Sequence, residues 1–347
     1  MARRINVVMG GPSAEHEVSL ATGREVLMHL NRSRYNPRAV VITHELKFYI
    51  TDVPDTQLTP ALEELAAPET SSRFEGPYSP IAAEKVWGDC EAAFLALHGE
   101  FGEDGVIQGY LDTLGIPYNG SGVLGSAVCL NKVLTKRLFE QAGIPTPPYS
   151  IVDGSANASR LAREHGLPCY VKCPQSGSSR LMGHADTVEE LDGYIKEFSQ
   201  HSEEILVETT VTGTELSCPV LEYPDGSVRT LPAVLIRPAK SSYFDFEAKY
   251  TDGACEEIVP APIDKAIEAR IREIALQAHK LCHCRGLSRT DVIVQDSTIY
   301  ALEINSLPGL THQSLAPKSF AAQEGDYEKL LDVLLRSAIE LRRNRRK

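Results

Sequence analysis

The first 120 residues repeat one unit: a short apolar run, a turn, then an amphipathic stretch. Ile5 to Met9 is strand-like, Gly10-Gly11 turns the chain, and Glu15 to Leu30 carries a helical pattern. Ala39 to Thr43 reads as a second strand, Ala92 to Leu97 as a later one, and Asp104 to Leu114 as a helix. Such alternation calls for an α/β fold with a doubly wound parallel sheet, because each crossover helix must cover a sheet face. Residues 52–84, rich in Pro, Thr, Ser and Glu, read as a long irregular or partly helical insertion.

After Ile116-Pro117 the texture changes. Ser126 to Ala142 reads as one helix, Cys169 to Cys173 as a strand, Val188 to Phe198 as a helix and Ile205 to Val211 as a strand. The remainder mixes antiparallel-looking strands with a helix from Asp264 to Leu281, whose apolar positions are 267, 271, 274, 278 and 281. These shifts divide the chain into units 1–120, 121–210 and 211–347. No stretch of sequence is itself repeated along the chain.

Two late strands carry the chemistry. Asp291 begins Asp-Val-Ile-Val-Gln295, and Glu303 and Asn305 lie two apart near the end of Ile299 to Asn305. Strand residues i and i+2 share a face. A three-residue connection, Asp296 to Thr298, sets Asp291 opposite Glu303. Three hard oxygen donors on one sheet face suit Mg²⁺, which completes its shell with substrate phosphates. Phosphoryl chemistry is the expectation.

A formal net charge of −12 argues against a general nucleic-acid binder, since phosphate contacts need clustered Lys and Arg. The one basic run, Arg342 to Lys347, follows an amphipathic stretch from Tyr327 to Leu341 and reads as charge at a helix C-terminus. No long apolar segment implies a membrane span, and no secretory leader precedes Ile5. With eight scattered cysteines, a cytoplasmic protein with reduced, isolated thiols is expected. Cys282-His283-Cys284 lacks the second cysteine pair of a zinc site.

Other segments have modest signals. Gly10-Gly11-Pro12-Ser13-Ala14-Glu15 joins a strand to a helix, where backbone N–H groups favour anions, but it lacks the third glycine of a dinucleotide fingerprint. Glu15 could bind a substrate ammonium or simply occupy the first helical turn. His98 stands beside a glycine loop at a strand end, where α/β sheets place ligands. Lys132 and Lys172 have apolar neighbours, and Gly177-Ser178-Ser179 offers hydroxyls and N–H groups for a phosphate flap. Glu208 and Glu215 could accept from an adenine amino group and a ribose. Phe244 to Tyr250 mixes aromatic and charged residues, as substrate-covering loops do.

Taken in order, these segments resemble the D-alanine–D-alanine ligase family of ATP-grasp enzymes from Ile5 to about Leu335. The resemblance rests on 10–19 (Gly-Gly-x-Ser-x-Glu-His-x-Val-Ser), 98–105 (His-Gly-x-x-Gly-Glu-Asp-Gly), 120–123 (Gly-Ser-Gly-Val), 247–250 (Glu-Ala-Lys-Tyr), 288–291 (Ser-Arg-x-Asp) and 303–311 (Glu-x-Asn-x-x-Pro-Gly-x-Thr). It implies three domains, with ATP between the central and C-terminal ones, and a reaction through a D-alanyl phosphate attacked by a second D-alanine.

Carried over position by position, it implies that Asp291, Glu303 and Asn305 hold two Mg²⁺ ions, replaceable by Mn²⁺. Lys132, Lys172 and Lys249 face phosphate, and Glu208 and Glu215 the adenosine. Arg289 and the N–H of Gly309 form the oxyanion site. Glu15 binds the first D-alanine, with His98 in the same site, and Ser314 with the backbone of Leu315 takes the second carboxylate. Glu15, Ser178 and Tyr250 form a loop-ordering triad, and the assembly is a homodimer. The flap departs from the family pattern, reading Gly177-Ser-Ser-Arg180-Leu181, and Cys173, Asn131 and Thr209 replace the usual residues. Two alternatives stay open: a ligase using D-lactate or D-serine as second substrate and, from the altered flap, a catalytically silent nucleotide binder.

Overall fold

The computed structural model describes residues 2–54, 58–175, 181–238 and 255–345. The first sheet has the order β4-β3-β2-β1-β5, formed by Glu75–Tyr78, Phe48–Asp52, Tyr35–Ile42, Arg3–Gly10 and Ala92–Leu95. β1 runs parallel to both β2 and β5, which is the doubly wound core. Val7 and Met9 of β1 pack toward one hydrophobic cluster and Val8 toward another, so both sheet faces are covered. That is why β1 reads as a continuous apolar run. Gly10 ends β1 at φ +85°, and a Cβ there would lie 2.3 Å from the carbonyl oxygen of Ile42, so only glycine makes this turn.

The insertion adds an edge. A tight turn from Thr43 to Lys47, closed by a 2.9 Å backbone bond, returns the chain as β3 antiparallel to β2. Residues 52–84 are more regular than their composition implies: they supply β4 and the short helices Leu58–Glu63 and Ala83–Trp87. The buried side chains Leu62, Leu65, Phe74, Val86 and Trp87 anchor them to the core.

A four-stranded antiparallel sheet follows, in the order β6-β9-β7-β8 (Tyr149–Val152, Ile205–Thr209, Cys169–Lys172, Met182–Ala185). Helices Ala158–His165 and Val188–Phe198 bury Leu161, Leu191, Ile195 and Phe198 against Val171 and Val207. The third sheet has the order β13-β12-β10-β14-β15 (Cys255–Ile258, Val234–Pro238, Thr214–Glu222, Leu287–Gln295, Thr298–Asn305), with β11 (Val228–Thr230) on β10. Helix Lys265–Leu281 covers one face, its Ile271, Ile274 and Ala278 packing in one cluster with Leu216, Val292 and Ile304.

Two local outcomes differ from the sequence reading. The stretch expected as one helix from Ser126 breaks at Asn131 into Val123–Leu130 and Lys132–Gln141. Asn131 leaves helical geometry and its side chain accepts the Leu134 N–H at 3.1 Å, a side-chain cap that starts a new helix at Lys132. Both helices contact β15, so 123–141 packs on the third sheet. The β14–β15 connection is also shorter than expected, because Gln295 pairs with Thr298 and only Asp296 and Ser297 make the turn. A register shift beside Asp291 skips Leu302 and restores Asp291 opposite Glu303. The bulge thus does what a third loop residue was expected to do.

The cysteines are not isolated either. Cys129 Sγ lies 3.4 Å from Cys284 Sγ in the same core cluster, although all eight thiols are free.

Candidate active site

The polar faces of the second and third sheets open onto one cavity of about 1010 Å³, and the strand ends of the first sheet close its remaining side. On the third sheet, β10 pairs Ser217 with Asp291 and Glu215 with Ile293, and β15 pairs Glu303 with Asp291 and Asn305 with Arg289. Strand alternation therefore gathers Glu215, Ser217, Arg289, Asp291, Glu303 and Asn305 on the face away from helix Lys265–Leu281. On the second sheet Tyr170 pairs with Glu208, and Lys172 lies two residues beyond Tyr170, again opposite the helix-covered face.

Asp291 is held from several sides. It is 7% exposed; Ser217 Oγ donates to its Oδ1, Arg289 donates Nε at 2.8 Å and Nη2 at 2.7 Å, and Asn305 Nδ2 donates at 3.1 Å. Burial works against the Arg289 charge, but the fork with Asp291 and the nearby Glu303 and Glu103 outweigh it and raise its pKa further, so the guanidinium stays charged. Glu303 Oε2 stands 3.5 Å from Lys132 Nζ.

At the second sheet, Glu208 is buried between two ammonium groups, Lys136 and Lys172, the latter at 2.6 Å. Burial alone would raise its pKa, yet the two lysines hold it below the usual carboxylate range.

The first sheet contributes His98 and Glu15. His98 Nε2 is 2.9 Å from Thr22 Oγ1 and its Nδ1 is 3.8 Å from Glu103. Gly99 sits at φ +66°, and a Cβ there would come within 2.7 Å of Glu15 Oε2. A glycine is needed for that carboxylate to reach the cavity wall. Ser314 caps the start of helix Leu315–Ala321 without a side-chain cap bond; its hydroxyl lies 2.8 Å from that of Thr311.

Glu15, His98, Lys132, Lys172, Glu208, Glu215, Arg289, Asp291, Glu303, Asn305, Gly309, Ser314 and Leu315 all line this cavity. Ser178, Lys249 and Tyr250 lie outside the described residues. Lys136, Ser217 and Thr22 were missed. Lys136 follows Lys132 by four, one helical turn, which puts both on one helix face. Ser217 follows Glu215 by two, so the strand period already placed it on the polar face. Thr22 has no comparable signal.

Mg²⁺ needs a site of hard oxygen donors. Among the described residues no three His, Cys, Asp or Glu side chains form a cage. A cation would take two carboxylates, the Asn305 amide and oxygens from water or phosphate, which is the usual Mg²⁺ arrangement. Asp291 already receives four donors, filling its acceptor positions. Turning the Asn305 amide over removes one donor and presents its oxygen. The residues fit a hard divalent ion.

Comparison with known proteins agrees with this geometry. Residues 4–121 match the family model described as D-ala D-ala ligase N-terminus, and 138–336 match D-ala D-ala ligase C-terminus. The chain belongs to the D-alanine–D-alanine ligase family. A D-alanine–D-alanine ligase of Streptomyces griseus is 35% identical, covering 97% of this chain and 92% of its own. The Bacillus anthracis D-alanine–D-alanine ligase solved with ATP superposes with a TM-score of 0.76 at 28% identity, covering 99% of this chain and 100% of that one. The VanG D-Ala:D-Ser ligase of Enterococcus faecalis gives 0.82 at 28% identity, covering 97% and 100%. The architecture is thus the ATP-grasp fold of D-alanine–D-alanine ligases. Among the described residues no helix is long and apolar enough to cross a membrane.

Proposed function

We propose that this chain is an ATP-dependent, ADP-forming D-alanine–D-alanine ligase acting in the cytoplasm on peptidoglycan precursors. ATP phosphorylates the carboxylate of one D-alanine, and the amine of a second displaces phosphate. The observation that carries this reading is the single cavity in which lysines, a part-buried Arg–Asp fork and two further oxygen donors meet the strand ends holding Glu15 and His98. Lys132 and Lys172 bind the phosphates, while Glu208 and Glu215 receive the adenosine. Glu15, beside His98, takes the ammonium of the first D-alanine, and Ser314 with the Leu315 N–H takes the carboxylate of the second.

Arg289 is charged and already held by two bonds to Asp291, so with the Gly309 N–H it can meet the oxyanion of the tetrahedral intermediate with little reorganisation. Asp291, Glu303 and Asn305 would hold Mg²⁺, which supplies neutralisation of the phosphate charge as it transfers. By resemblance, Ser178 and Tyr250 join Glu15 in ordering the covering loops, and Lys249 assists at the transferred phosphate. We further propose three working units, 1–120, 121–210 and 211–347, the helices of 123–141 being the part of the middle unit seated on the third sheet, and a homodimer.

The likeness to VanG supplies one competing reading, D-serine as the second substrate. Phosphate and ADP release measured with D-alanine alone, and then with D-serine or D-lactate as added acceptors, decides between them. D-Alanyl-D-alanine as the main product near neutral pH is expected. A mixed product dominating that competition overturns the dipeptide assignment, and nucleotide binding without any D-alanine-dependent turnover overturns the enzyme.

A further inference from the structure

The cavity contains a cation that none of the roles above uses. Lys136 is 1% exposed, on the helix Lys132–Gln141, and its ammonium meets Glu208 Oε1. It also donates to Thr146 Oγ1 at 2.7 Å, lies 3.5 Å from the Pro147 carbonyl and stands 5.2 Å from the centre of the Tyr149 ring. Lys172 reaches the other oxygen of the same carboxylate at 2.6 Å, and its side chain is 15% exposed toward the cavity. One buried anion therefore serves two cations, one locked in place and one at the cavity surface.

The excess positive charge has a consequence. Burial and the neighbouring Lys172 together push the Lys136 ammonium below the usual lysine range, against the pull of Glu208. Moving Lys172 onto a phosphate relieves that repulsion. The same movement would be costly if Lys172 were the only partner of Glu208, because a buried carboxylate would be left bare.

We infer that Lys136 is a positioning residue for the nucleotide: as the permanent counter-ion of Glu208, it lets Lys172 exchange the carboxylate for ATP phosphates. This inference rests on the assignment of the cavity to ATP. It makes the two lysines unequal: Lys172 touches the ligand, and Lys136 acts through Glu208.

Calorimetric ADP titration of the full-length protein tests it as a double-mutant cycle. Lys136→Met should weaken ADP binding at least about tenfold, because Lys172 is then held on Glu208. Lys136→Arg should remain within about threefold of wild type, since the charge is kept. In the Glu208→Gln background, Lys136→Met should change ADP affinity by less than about threefold, as no carboxylate remains to hold Lys172. In turnover assays, KM for ATP should rise in Lys136→Met more than kcat falls. Lys136→Gln, which keeps a donor for Thr146, serves if the methionine variant does not fold and should show the same weakening. Wild-type affinity in a folded, uncharged variant overturns the inference, as does an equal loss with and without the Glu208 carboxylate. If the wild type binds no ADP, the nucleotide assignment itself fails.

Discussion

Ser217→Ala should separate the support of Asp291 from the ligands themselves. Ser217 is fully buried on β10, directly opposite Asp291, and its hydroxyl donates to Oδ1 of that carboxylate. Hydrogen bonds to charged groups contribute about 1.5–3 kcal/mol. Asp291 keeps the two Arg289 donors, so the loss should fall at the lower end, about 1.5 kcal/mol. Removing an outer-shell partner typically costs about 10–100-fold in metal affinity or activity. A loss of about 1.5 kcal/mol corresponds to roughly tenfold, since each 1.4 kcal/mol is a factor of ten. The assay is D-alanine-dependent ADP release titrated with Mg²⁺ at saturating ATP and D-alanine, paired with urea unfolding of the same variant. The half-activating Mg²⁺ concentration should rise about tenfold, with kcat at saturating Mg²⁺ within about threefold of wild type. An unchanged Mg²⁺ requirement, alongside the expected loss of stability, would refute the reasoning: Ser217 would then support only the sheet.

Two further outcomes follow from the same network. Glu303→Ala should abolish D-alanine-dependent ADP release while leaving the far-UV circular dichroism unchanged, because Glu303 lies at the cavity surface and not in the core; undiminished turnover would refute its role as a ligand. Glu208 has a folded-state pKa below the ordinary value of 4.5, so its charge stabilises the fold above that pH, and this contribution is lost as pH falls through the lower native value. Unfolding free energies measured at about pH 7 and about pH 3.5 should therefore show a larger acid-induced loss in wild type than in Glu208→Gln; equal losses in the two proteins would rule it out.

The parallel core was legible because β1, β2 and β5 are buried on both faces, and such strands must be apolar runs closed by turns. The edge formed by 48–78 was not. Its strands are short, β4 reads Glu75-Gly-Pro-Tyr78, and nothing in that composition separates an edge strand from a loop. The break at Asn131 could have been read, since a capping residue followed by Lys132 restarts a helix, but continuous apolar periodicity concealed it. At β14–β15 the expected pairing of Asp291 with Glu303 came out through different geometry. A bulge and a two-residue turn sum to the same register as a three-residue loop, and local sequence does not distinguish them.

The site divides along a similar line. Glu303 with Asn305 and Arg289 with Asp291 are intrastrand pairs, so the two-residue period exposes them directly. Lys136 and Ser217 act across elements: Lys136 meets Glu208 over 72 residues of sequence, and Ser217 meets Asp291 over 74. Spacing puts each residue on the right face, but the contact partner has no local signature, because a lysine on an amphipathic helix and a serine in a strand each have ordinary readings. What gives them meaning is the requirement that a buried charge be compensated. Among the described residues, Glu208 and Asp291 are the two carboxylates most deeply enclosed in the cavity wall, and each is held by donors from other strands or helices. A strand-end carboxylate expected to be buried should therefore prompt a search for its counter-charge, and in this chain that search leads to Lys136 at Glu208 and to Arg289 at Asp291.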